Sequence, residues 1–78
     1  MNEQLEALLR QIIHPETEQN IVDSGFVDRA DRGEDGSIAI TLRFQKARDP
    51  FAQKVKHQVE ELMAKSYPDN ECLVIIRE

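Results

Sequence analysis

One polar segment separates the clearest strand pattern of this chain from its clearest helix pattern: Gln45-Lys46-Ala47-Arg48-Asp49-Pro50. Asp49 is predicted to be the N-cap of the helix, because a short acceptor side chain satisfies amide groups that the first turn leaves unpaired. Pro50 is predicted to be the first helical residue, where a missing amide proton is harmless. If Asp49 is only a cap, Asp49→Asn should nearly preserve folding.

The residues before this segment alternate strictly between large apolar side chains and other types. Positions 38, 40, 42 and 44 are Ile, Ile, Leu and Phe, whereas positions 39, 41 and 43 are Ala, Thr and Arg. This period of two predicts a strand over residues 37–44 with one buried face. Residues 26–32 are also predicted to be a strand. The intervening Gly33-Glu34-Asp35-Gly36 predicts the turn of a hairpin.

The residues after the segment predict a second helix that runs to about Ser66. Its inner stripe consists of Phe51, Val55, Val59, Leu62 and Met63, with Ala52 alongside. Pro68 follows the end of this helix, as expected of a stop signal. Residues 72–76 then form a continuous apolar run. Such a run is typical of a strand covered on both faces, so we predict a strand that is central or lies at an interface.

The beginning of the chain predicts a first helix over residues 2–13. Its apolar side chains lie at positions 5, 8, 9, 12 and 13, which is the spacing of an amphipathic helix. Asn2 is the predicted N-cap, and Pro15 is predicted to end the helix. In the following residues, Thr17 is predicted to cap a short turn that Gly25 closes.

These elements predict an α+β fold, a two-layer α/β sandwich with the order α-β-β-α-β. A helix between the second and third strands allows those strands to pair in parallel, so the three-stranded sheet is expected to be mixed. Two helices on one face of the sheet leave the other face open. Leu73 and Ile75, or their neighbours, are expected on that face, where they predict a surface for a partner or a homodimer. Residues 1–78 are expected to form a single domain.

Charge and composition disfavour several classes of function. Ten Lys and Arg against 15 Asp and Glu give a net charge of −5. Nucleic acids and anionic membrane surfaces attract basic proteins, so neither is an expected partner. No apolar run approaches the ~20 residues that span a bilayer. A single cysteine cannot form an internal disulfide, which favours a cytoplasmic location.

Three short motifs resemble a known family. They are Leu5-x-x-Leu8-Leu9, His14-Pro15-Glu16 and Ile21-Val22-Asp23-Ser24-Gly25-Phe26-Val27. In this order they resemble the opening of the PaaD/SufT-type iron–sulfur cluster assembly domain, which is also the N-terminal domain of Mrp-type P-loop ATPases. The resemblance covers nearly the whole chain and implies the same α-β-β-α-β fold.

The chain departs from the pattern of that family at two positions. His14 replaces the Asp of its Asp-Pro-Glu motif, and Asp49 replaces a cysteine. The resemblance implies that this cysteine takes part in cluster handling or in transfer to a partner. A thiol at a helix N-terminus is readily ionised. An aspartate there keeps a negative charge but lacks the soft sulfur that iron prefers. The chain is therefore interpreted as a cysteine-lacking variant that binds no cluster through a thiolate, and no cofactor is expected.

The resemblance implies a non-enzymatic accessory domain that binds a protein of iron–sulfur assembly, such as an ATPase or a scaffold. The predicted partner-binding residues are His14, Glu16, Arg43, Lys46, Arg48 and Asp49. Two alternatives stay open. One is a small metal-binding or catalytic protein in which His14, Glu16 and Asp49 converge, and the other is a purely structural dimerisation module. No catalytic residue is predicted, because the sequence contains no Ser-His-Asp, His-Glu-x-x-His or Cys-x-x-Cys arrangement.

Overall fold

The computed structural model of the chain describes residues 2–44 and 49–77. The elements in chain order are helix α1 (Glu3–Leu9), strand β1 (Val27–Arg32), strand β2 (Ile38–Arg43), helix α2 (Ala52–Ser66) and strand β3 (Cys72–Arg77). This order confirms the predicted α-β-β-α-β fold. Within the described ranges, neither helix combines the length and apolar character needed to cross a membrane.

The three strands form one mixed sheet in the order β1-β2-β3. β1 and β2 are antiparallel and joined by the predicted turn, whereas β2 and β3 are parallel, as the helical crossover requires. β2 is therefore the central strand and β3 an edge strand. Of the two predicted positions of β3, the central one is wrong, and the position at an interface stays a prediction. The hairpin places β1 on one side of β2, so the crossover through α2 brings β3 to the remaining free side.

Both helices contribute to a single hydrophobic core on one face of the sheet. The inward residues of β2 are nearly inaccessible, which confirms the predicted alternation. The buried apolar residues are Leu5, Leu9, Ile12, Ile21, Phe26, Val27, Ala30, Ile38, Ile40, Leu42, Phe44, Val55, Val59, Met63 and Val74. The opposite face is open: Leu73 and Ile75 of β3 are 60% and 44% exposed. The apolar run of β3 thus has one covered face, not two.

α1 is shorter than its apolar spacing predicts. The Asn2 cap is confirmed, because its side-chain oxygen accepts hydrogen bonds from the amides of Gln4 and Leu5 at 2.9 and 3.1 Å. The helix nevertheless ends at Leu9, well before Pro15. The Ile12 carbonyl accepts a 3.0 Å hydrogen bond from the Ile21 amide instead of one from within a helix. Tertiary pairing with the returning chain, and not the proline, therefore ends α1.

The turn before β1 uses a different cap from the one predicted. The side-chain oxygen of Asn20 accepts the Asp23 amide at 2.8 Å, whereas Thr17 Oγ1 accepts the amide of Gln19 at 3.3 Å. Gly25 closes this turn as predicted, with a φ of +80° that suits glycine. The turn directs the chain into the core at Phe26.

Candidate functional site

His14 lies in the loop between α1 and β1, and its ring points into the protein. The loop folds back on itself: the His14 amide donates to the Gln19 carbonyl at 3.0 Å, and the Glu18 amide donates to the His14 carbonyl at 2.9 Å. Only 1% of His14 is exposed. α1 ends at Leu9, earlier than predicted, and the loop that follows carries the ring of His14 into the core.

Aromatic rings surround the imidazole of His14. The ring centroids of Phe26, Phe51 and Phe44 lie 4.6, 5.6 and 6.2 Å from it. Phe26 directly precedes β1, Phe51 directly precedes α2 and Phe44 directly follows β2, so three separate segments meet at one histidine. They are also the only phenylalanines of the sequence. Sequence reasoning missed this cluster, since nothing in a periodic pattern indicates which loop residue turns inward.

Asp49 is the polar partner of His14. Its carboxylate oxygen Oδ2 lies 3.1 Å from His14 Nε2, and the two side chains are 3% and 1% exposed. Its other oxygen, Oδ1, accepts the Phe51 amide at 2.8 Å. Helix α2 begins only at Ala52, so the prediction that Asp49 is the N-cap and Pro50 the first helical residue is wrong. Asp49 instead closes the turn that leads into the helix.

The hydrogen bonds assign the proton of the imidazole. The Glu16 amide donates to His14 Nδ1 at 3.1 Å, so Nδ1 acts as an acceptor and carries no proton. Nε2 then carries the proton and donates it to Asp49 Oδ2. A neutral histidine thus pairs with a carboxylate that also accepts a backbone amide. Within the described residues, no buried side-chain polar atom lacks a hydrogen-bond partner.

This arrangement leaves no lone pair of His14 for a metal ion, since Nδ1 accepts an amide and Nε2 is protonated. Glu16 contributes its backbone amide to the pair. Residues 2–44 and 49–77 contain no group of three or more His, Cys, Asp or Glu side chains that could hold a metal ion. The geometry therefore gives no support to the alternative of a metal site built from His14, Glu16 and Asp49.

The remaining predicted site residues differ in position. Glu16 and Arg43 are exposed, Arg43 at the end of β2 on the open face. Lys46 and Arg48 lie outside the described residues. The structure brings the side chains of His14 and Asp49 into contact. Glu16 joins them through its backbone amide, which donates a hydrogen bond to His14. Partner binding by these residues stays a prediction.

The Asp49 geometry predicts a cost for Asp49→Asn, contrary to the expectation for a simple helix cap. The Phe51 amide and His14 Nε2 contact different oxygens of the Asp49 carboxylate. An asparagine replaces one of these oxygens by an NH2 group, which places a donor against one of the two donors. We expect the free energy of unfolding in urea to fall by about 1–3 kcal/mol. The matched control is Asp31→Asn, whose carboxylate is 58% exposed, and we expect a change within about 0.5 kcal/mol. Equal stability of the two variants would contradict the assigned contacts.

Cys72 does not take over the role of the absent thiol at position 49. It lies half-buried at the start of β3. Burial, and then the nearby charge of Glu60, raise the pKa of the Cys72 thiol above its ordinary value. A thiol that stays protonated is a poor nucleophile and a poor metal ligand.

Comparison with protein families gives a direct match. A family model described as iron-sulfur cluster assembly protein matches residues 2–74. The chain belongs to this family. The resemblance predicted from the sequence motifs is thereby confirmed. The description as a cysteine-lacking variant is wrong for the chain as a whole, because Cys72 is present. It applies to position 49 alone.

Two solved structures share the fold of this family member. The crystal structure of a domain of unknown function, DUF59, from Bacillus anthracis is 27% identical with a TM-score of 0.86, over 95% of this chain and 71% of that chain. The solution structure of a Mycobacterium tuberculosis protein, described as associated with Fe-S complex assembly and repair, is 20% identical with a TM-score of 0.59. That match covers 95% of this chain and 65% of the other. A search of curated proteins found no match.

Proposed function

We propose that this domain is a non-enzymatic accessory of iron–sulfur cluster assembly that acts in the cytoplasm by contact with a protein partner. The observation that carries the proposal is the family match over residues 2–74. The partner class is an assembly ATPase or scaffold, as the resemblance of the sequence implies.

The contact surface of the proposal is the loop of His14 together with the segment between β2 and α2. The buried pair of His14 and Asp49 joins these two parts of the chain, which are 35 residues apart in sequence. A buried, fully hydrogen-bonded pair fixes the relative position of the segments that carry it. It therefore supports a fixed position of the His14 loop, which carries Glu16, relative to the turn of Asp49. Arg43, at the end of β2, belongs to the proposed surface because of its charge.

Electrostatics favour an acidic patch on the partner. Arg43 is followed in sequence by Lys46 and Arg48, a local basic group in a chain whose net charge is −5. A small basic patch on an acidic protein attracts a complementary acidic surface and orients the encounter. Iron and sulfide would then be handled by the partner, since His14 and Asp49 are hydrogen-bonded to each other and burial raises the pKa of the Cys72 thiol.

Affinity capture tests the proposal. The tagged chain, expressed in its native cell, is expected to retain an iron–sulfur assembly ATPase or scaffold that mass spectrometry identifies. Arg43→Glu should reduce the recovery at least several-fold, because it reverses the charge of the proposed patch. The control is Lys54→Glu, an equal change of charge at an exposed site of α2. Recovery of no assembly protein, or equal loss with both variants, would contradict the proposed surface.

A further inference from the structure

β3 has one paired edge and one outer edge. The Glu71 carbonyl accepts the Ile38 amide of β2 at 2.8 Å. Backbone groups of successive strand residues point to opposite edges, so those of Leu73, Ile75 and Arg77 also face β2. The amides and carbonyls of Cys72, Val74 and Ile76 therefore point outward. No strand within the described part of the chain pairs with them.

This edge lacks the usual features that prevent strand pairing. Natural edge strands are protected by prolines, bulges, inward-pointing charges or short length. β3 has six residues and contains no proline, and its pairing with β2 is regular from Cys72 to Arg77. Its open-face side chains include Leu73 and Ile75, which are 60% and 44% exposed. Unpaired backbone groups beside exposed apolar side chains form a surface suited to an added strand.

We propose that the occupant of this edge is a second copy of the chain, whose β3 pairs antiparallel with the first around a two-fold axis at Val74. The inference does not depend on the proposed function. In this register, Val74 lies opposite Val74 of the second copy, and Cys72 lies opposite Ile76. All of these residues direct their backbone groups outward, so the pairing forms about six main-chain hydrogen bonds and a continuous sheet across both copies.

The side chains of β3 are complementary to themselves in this register. On the open face, Leu73 lies opposite Ile75 of the second copy, which gives two apolar cross-strand pairs. At each end of the pairing, Glu71 lies opposite Arg77 of the second copy, which gives two pairs of unlike charge. Both cross-strand pair types stabilise antiparallel strands. Among the described residues, the guanidinium of Arg77 has a long contact of 3.4 Å to Asp28, with side chains 67% and 33% exposed, so it can turn to the new carboxylate.

The neighbouring registers are less favourable. A two-fold axis at Leu73 places Ile75 opposite Glu71 of the second copy. It places Arg77 opposite Asp69, which lies outside β3. An axis at Ile75 places Arg77 opposite Leu73. If the β3 of the second copy is shifted by a single residue along the first, side chains of the open face lie opposite side chains of the covered face. Charge and apolar matching thus select the axis at Val74.

The test is sedimentation equilibrium of the full chain over a range of concentrations. The wild type is expected to show a monomer–dimer equilibrium. Arg77→Glu and Glu71→Arg each place two like charges opposite each other at both ends of the strand pairing. Each is expected to raise the dissociation constant of the dimer about 5- to 30-fold. The double variant Glu71→Arg/Arg77→Glu exchanges the two charges and is expected to regain the wild-type dissociation constant.

A second control separates this edge pairing from a stacking of two open faces. Ala39 lies exposed in the middle of the open face, on β2, away from the outer edge of β3. Ala39→Lys is therefore expected to leave the dimer intact. A wild type that stays monomeric at millimolar concentration would overturn the proposal. So would a double variant that is no tighter than the singles, or a dimer that Ala39→Lys abolishes.

Discussion

The variant His14→Ala is expected to lose about 3–5 kcal/mol of its free energy of unfolding. The change removes the imidazole from a cluster of three phenylalanine rings and leaves the carboxylate of Asp49 buried beside an empty space. An unpaired buried charge is among the most destabilising consequences of a single substitution. Because a chain of 78 residues has a total stability of only roughly 4–12 kcal/mol, this loss is about a quarter of the total or more.

The other histidine of the chain provides the control for this prediction. His57 lies on α2, its side chain is 71% exposed, and it contacts Glu61 at 2.9 Å. His57→Ala is therefore expected to change the free energy of unfolding by no more than about 0.5 kcal/mol. Urea denaturation followed by circular dichroism measures both variants. If both changed stability equally, the buried pair would not be a main support of the fold.

The second large effect is expected for Ile40→Ala in the centre of β2. Ile40 is inaccessible to solvent, and it lies in register between Ala30 of β1 and Val74 of β3. Removing three carbon atoms there loses their burial and leaves a cavity, so we expect the free energy of unfolding to fall by about 2–5 kcal/mol.

The matched control removes the same atoms from the open face. Ile75→Ala in β3, where the side chain is 44% exposed, is expected to cost less than about 1 kcal/mol when measured at a concentration that keeps the chain monomeric. The pair of variants compares the two faces of the sheet directly. A larger loss for Ile75→Ala than for Ile40→Ala would mean that the faces are assigned the wrong way round.

The periodic parts of the sequence predicted most of the fold. Alternation along residues 38–44 identified the buried face of β2, and the apolar stripe of α2 identified Val55, Val59 and Met63 as core residues. These predictions succeed because one face of each element must be buried. The position of β3 was not predictable in this way, because a run of apolar residues does not distinguish a central strand from an edge strand that has a partner.

The candidate site was only partly predictable. The sequence indicated that His14 and Asp49 depart from the family pattern, and the structure shows that these two departures are in contact with each other. No local sequence pattern predicts a contact between a loop residue and a turn that is far away in sequence. The early end of α1 at Leu9, which turns His14 inward, depends on the pairing of Ile12 with Ile21. That pairing is a tertiary contact and leaves no signal in helical spacing.

The candidate site depends on the hydrogen bond between His14 and Asp49, which together with the Glu16 amide leaves neither imidazole nitrogen available to a metal ion. Nitrogen NMR of ¹⁵N-labelled protein at neutral pH tests it most directly, recorded before and after addition of zinc as a diamagnetic probe. We expect a proton on Nε2 of His14, none on Nδ1, and unchanged resonances for both nitrogens when zinc is present. A proton on Nδ1, or a zinc-dependent shift of either nitrogen, would contradict it.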